Sequence, residues 1–174
     1  MTSGTDLAQS LLLDGFQRIE EGVGAVLDGL TVEDLRWSPG PGANPVGWLL
    51  WHLSRQQDAQ LAAIAQEEPV WTAGGWADRF GLPYDRDAHG YGQSAEEVGR
   101  FTVADPTLLS GYAVAVHELT RRLVLGLGAD DYDRVVDRAW DPPVTLRVRL
   151  YSVLEDAAKH LGQAEYVTGM LGRR

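Results

Sequence analysis

Four long segments of this chain carry an apolar residue every three or four positions, and that period restricts the fold more than any single residue does. Such spacing lines one face of an α-helix, whereas a half-buried strand would need strict alternation. The first stripe runs roughly from Thr5 or Asp6 to Leu30, through Ala8, Leu11, Leu12, Phe16, Ile19, Val23, Val26 and Leu27. Thr31-Val32-Glu33-Asp34 then opens a short helical turn before SPGPGANP, a loop by its composition. Asn44-Pro45 marks the second start, with Asn as N-cap and Pro at the first helical position. That helix should reach about Gln66, with Val46, Leu49, Leu50, Leu53, Leu61 and Ile64 inward. Asp105-Pro106 repeats the signal for a third helix to about Leu127, with Leu109, Tyr112, Val116, Leu119 and Leu123 inward. The last runs from about Leu146 to Leu171. Each amphipathic helix must bury its stripe against the others, so the expected class is all-α, a four-helix bundle. The irregular Pro69–Ala104 stretch, in which Ser94 can cap one short helix, suits a long crossover between the second and third helices. A length of 174 residues fits one domain, 1–174.

The charge balance narrows the partners. There are 25 acidic against 15 basic residues, a formal charge of -10, and the basic residues are scattered. Neither a nucleic acid nor an anionic membrane surface is an expected partner. No apolar run approaches the roughly 20 residues of a membrane span, and MTSGTDLAQS lacks the features of a signal peptide. A cytoplasmic location is the expectation. With no cysteine, the chain has no thiolate ligand or catalytic thiol of its own.

The last stripe contains an anomaly. The register that places Leu146, Leu150, Val153, Ala164, Val167 and Leu171 inward also takes in Asp156 and His160, a carboxylate and an imidazole at i and i+4. The second helix offers one inward imidazole, His52, one turn after Trp48 in GWLLWHLSRQQD. Two His and one carboxylate are a ligand set of open zinc and non-haem iron sites. The plain alternative is a core histidine and a hydrogen-bonded Asp–His couple on a helix edge. A buried carboxylate must be paired, however, and a metal or a cationic His would pair it. Trp48, His89 in its Gly-flanked loop and His117 at the border of the third stripe are candidates to line a substrate pocket. Ser54 has no His placed as its base, so no nucleophilic triad is expected.

GANPVGWLLWHLSRQQDAQ, followed much later by LYSVLEDAAKHLGQAEYVTGML, resembles the DinB-like superfamily over nearly the whole chain. The resemblance is nearest to the mini-circle protein branch, related to the mycothiol-dependent maleylpyruvate isomerases and the mycothiol or bacillithiol S-transferases. It implies a four-helix bundle, often a homodimer, holding a divalent metal. The implied ligands are His52, Asp156 and His160. Asp156 stands where the commonest pattern of the family, HxxxH, has a histidine. Zinc is the first choice for such mixed ligands, with nickel or iron also compatible. The activity implied is transfer of an external low-molecular-weight thiol to a small electrophile. Hydrolysis by metal-activated water and a non-catalytic, ligand-binding or structural bundle are the alternatives.

Overall fold

The stripes fold into long helices joined by short ones. In the computed structural model, which describes residues 4–172, the order is α1 (Gly4–Leu27), α2 (Val32–Arg36), α3 (Val46–Ala65), α4 (Val70–Ala73), α5 (Trp76–Phe80), α6 (Ala95–Gly99), α7 (Thr107–Leu125) and α8 (Leu146–Leu171). A 3-10 turn, Ala129–Asp133, and an antiparallel pair, β1 (Val135–Asp137) and β2 (Val144–Thr145), separate α7 from α8. Residues 1–3 and 173–174 of the expected 1–174 domain lie outside the described residues.

Local chemistry sets most of the boundaries. Thr31 and Ser94 cap α2 and α6 in reciprocal boxes with Asp34 and Glu97. Both proline starts fall one residue later than expected: Pro45 and Pro106 occupy the N-cap positions of α3 and α7. Asp105 still acts as a cap, its carboxylate accepting the Thr107 N–H at 2.8 Å. Helix α1 stops at Leu27 rather than Leu30, two residues before Gly29 takes a φ of 74°. Leu11 was expected inward and is instead 64% exposed, while its neighbour Leu12 packs on the Phe16–Leu61–Leu146 cluster. Adjacent helical positions point about 100° apart, so one of the two had to leave the stripe.

Helix α1 packs against α7 and α8, and α3 packs against the same two. Their directions follow from cross-helix pairs. Gln9, early in α1, donates to the Val124 and Leu127 carbonyls at the far end of α7, so these two run antiparallel. Arg55 reaches Tyr112, Gln57 reaches Thr120, and Glu67 reaches Arg122, so α3 and α7 run parallel. Parallel consecutive long helices require a chain that returns to the starting end, and residues 66–106 supply that crossover. Against α8, α1 approaches closely where it has no side chain. A methyl added at Gly15 or Gly22 would sit 2.7 or 2.5 Å from a Cδ of Leu154 or Leu161.

The crossover is a packed cover rather than a loose loop. Helices α4 and α5 bring Trp71, Trp76 and Phe80 onto Tyr112, and Trp71 also meets Trp51 edge-on. Among the described residues no helix is long and apolar enough to cross a membrane.

Candidate metal centre

Helices α3 and α8 lie side by side, and three polar side chains meet where they face each other. His52 comes from α3 and is 5% exposed. Asp156 and His160 come from α8, one turn apart. One potential ligand atom from each lies within 4.8 Å of the other two. His160 Nε2 is 3.6 Å from Asp156 Oδ1, and the His52 and His160 rings meet edge-on with centroids 4.7 Å apart. The stripe had suggested that both α8 residues face the core. Their side chains are instead 19% (His160) and 43% (Asp156) exposed, at the rim where α8 turns toward solvent. Only His52 is deeply held, so the cluster is closed on the α3 side and open on the other.

The geometry around His52 frees one of its nitrogens. Nδ1 lies 2.6 Å from the His89 carbonyl oxygen. A carbonyl only accepts, so Nδ1 carries the proton and Nε2 keeps its lone pair, the form a metal requires. Burial pushes the imidazole down to about 4, against the opposing pull of the His89 carbonyl, so the ring is neutral near pH 7. Trp48 stacks on this ring at 4.5 Å, nearly parallel, and its own Nε1–H donates to Gln93 Oε1 at 2.8 Å. Gly90 completes the cradle. Its φ of 92° suits glycine, and a methyl there would collide with His52 Nδ1 and touch Trp48. Gly90→Ala should therefore twist His52 away and weaken divalent-ion binding by roughly 10–100-fold. Competition with a chromophoric chelator measures this.

A second expected result concerns acid. Unfolding restores His52 to its ordinary 6.5, so between that value and about 4 the unfolded chain binds a proton that the folded one does not. Stability of chelator-treated protein should fall across this window as pH drops, by up to about 3 kcal/mol. His52→Gln should flatten the dependence in urea denaturation followed as a function of pH.

Comparison with known proteins places this bundle. A family model described as the DinB superfamily matches residues 16–164, a span that holds all three clustered residues. The chain belongs to the DinB superfamily. Its structure is similar to the crystal structure of a conserved protein from Enterococcus faecalis, with a TM-score of 0.89 and 31% sequence identity. The match covers 95% of this chain and 97% of that one. No curated protein matches the chain.

Of the other residues singled out in the sequence of this DinB-superfamily chain, Trp48 and His89 join the cluster. Trp48 walls His52, and His89 contributes through its backbone carbonyl. His117 lies elsewhere, in a small recess beside Phe16, Ile19 and Val23, with a buried Nδ1 that has no partner among the described residues.

Sequence reasoning missed the buried charges behind the site. Arg55 is 2% exposed and Asp58 is 0%. Arg55 donates to the carbonyls of Ala88 (3.1 Å) and Asp87 (3.3 Å), the residues just before His89, and lies 5.0 Å over the Trp71 ring. Asp58 accepts from the Val70 and Trp71 N–H groups at 2.8 Å each and from the Tyr112 hydroxyl at 2.6 Å. Its Oδ2 is 3.5 Å from Arg55. A fixed chain of contacts thus runs from α4 and α7 through Asp58 and Arg55 to the loop that sets the His52 ring.

Proposed function

We propose that this DinB-superfamily protein binds one divalent metal through His52, Asp156 and His160, and with it transfers a low-molecular-weight thiol to a small electrophile. The observation that carries the reading is the lock on His52. A buried ring whose Nδ1–H is committed to a carbonyl leaves Nε2 unprotonated beside a second imidazole and a carboxylate. Two nitrogens and one oxygen suit zinc first, and the same set accepts nickel or iron. A divalent metal held there supplies the charge that keeps a thiol deprotonated near neutral pH.

The chain's own residues do the rest. Having no cysteine, the protein takes its thiol from outside. Asp156 brings one negative charge to the cluster, so the net charge is lower than an all-histidine set would give. The half-exposed Asp156 and partly exposed His160 leave the cluster reachable by a small molecule, while Trp48 and the 87–90 loop cover the His52 side. The family resemblance supports a homodimer as the working form.

The test uses protein purified without chelators or a histidine tag. About one divalent ion per chain is expected by elemental analysis, together with thiol-dependent consumption of an alkylating electrophile that stops on chelation. Protein that neither retains nor takes up a divalent ion overturns the reading. Turnover that proceeds in water without thiol replaces transfer with hydrolysis.

A further inference from the structure

A cavity of about 300 Å³ lies along the α3–α8 seam, lined by Gln56, Gln60, His89, Val136, Asp137 and Arg149 among others. The three clustered residues are not in its lining, but two lining residues border them: Gln56 stands one turn along α3 from His52, and His89 is the residue whose carbonyl holds that ring. At its far end is Arg149, seven residues before Asp156 on α8. Two helical turns put Arg149 on the same face of α8 as Asp156, with about 10 Å of helix rise between the two residues.

The hydrogen bonds already made within this cavity decide what it offers a ligand. Arg149 Nη1 donates to Gln60 Oε1 at 2.8 Å. Guanidinium has no acceptor, so the Gln60 oxygen is committed and its NH₂ group remains. Both Asp137 oxygens are engaged, one by the Ala139 N–H (2.9 Å) and one by Arg149 Nη2 (2.7 Å). Arg149 has spent two of its five N–H donors on these partners. The His89 Nδ1 receives the Tyr91 N–H at 3.4 Å, which places the ring's proton on Nε2. Apart from the Gln56 amide, the side-chain acceptors of the lining are engaged within the protein, and N–H groups of Arg149, Gln60 and His89 remain, with the Arg149 charge balanced by Asp137.

We propose that this seam cavity is a substrate subsite that receives a carboxylate, held by Arg149 with Gln60 and His89 about 10 Å from the reacting end of the molecule. The proposal rests on the metal-site reading for what lies at the near end. It names the substrate class: an elongated small molecule with a reactive or metal-seeking group at one end and a carboxylate at the other.

Cobalt(II)-loaded protein provides the test, because a thiolate on cobalt gives a charge-transfer band. Mercaptohexanoate, long enough to span the seam, should bind roughly tenfold or more tightly than the uncharged mercaptohexanol. Mercaptoacetate, too short to reach Arg149, should gain nothing from its carboxylate. Arg149→Met should abolish the preference with the cobalt spectrum intact. Gln60→Glu, which places a carboxylate beside Arg149 at nearly constant shape, should do the same if the Arg149 change perturbs folding. Equal binding of the acid and the alcohol by wild-type protein, with the band present, overturns the subsite and leaves the metal reading standing. If cobalt does not bind, the metal reading fails. The subsite is then judged from the Gln60 side-chain amide resonances in metal-free protein: a shift with hexanoate and none with hexanol supports it, and no shift with either overturns it.

Discussion

His160→Ala should release the metal while the bundle remains folded. The three candidate ligands come from two helices, and α8 supplies two of them, so losing His160 leaves one buried nitrogen and one half-exposed carboxylate. Changing a residue that only orients a ligand typically costs 10–100-fold in metal affinity, so removing a ligand should cost at least about hundredfold. Thiol-transfer activity should disappear with the metal. The fold should survive because His160 stands at the rim, and the apolar side chains that join α8 to the core, among them Leu150, Val153, Ala157 and Leu161, are untouched. Asp156→Ala should weaken binding less, since two imidazoles remain. A non-catalytic bundle would respond differently: no ion in the wild type, and His160→Ala changing only stability. Elemental analysis and urea denaturation of the same samples separate the two readings.

The four long helices were legible because burial itself writes the 3.6-residue period, and Phe16, Leu49, Leu109 and Leu150 are all nearly inaccessible. The clustering of His52, Asp156 and His160 was legible for the same reason in reverse: Asp156 and His160 interrupt a stripe that should be apolar. Their exposure was not, since the width of a stripe does not say which edge another helix covers. The short helices α4 and α5 have too few residues to show a period, and they are fixed by distant partners such as Tyr112. Arg55 and Asp58 were overlooked because charged residues are read by default as solvated. The signal was nonetheless present. Trp48, Trp51, Arg55, Asp58 and Ala62 follow one another at steps of three and four, and all five are buried. A charged pair continuing an apolar stripe is the same anomaly as Asp156 and His160, met earlier in the chain on α3.

That buried pair gives the second large effect. Asp58→Ala should cost about 3–5 kcal/mol, because it leaves the Arg55 cation inaccessible to water and without its counter-ion. It also strips the acceptor from two backbone N–H groups at the start of α4 and from the Tyr112 hydroxyl. Arg55→Met should act differently. Asp58 keeps three donors, and the methionine stem fills much of the space, so the stability loss should be smaller than for Asp58→Ala. The carbonyls of Asp87 and Ala88, however, lose the group that draws them in. The next carbonyl along, that of His89, is the one that orients His52. Arg55→Met should therefore lower metal affinity by roughly tenfold or more while leaving most of the stability in place. A purely structural role for Arg55 predicts that affinity is unchanged wherever the protein is folded. Urea denaturation of the metal-free variants, set beside their metal affinities from chelator competition, distinguishes the two: Asp58 should rank first in stability lost, and Arg55 should show the larger loss of affinity for each kcal/mol of stability it gives up.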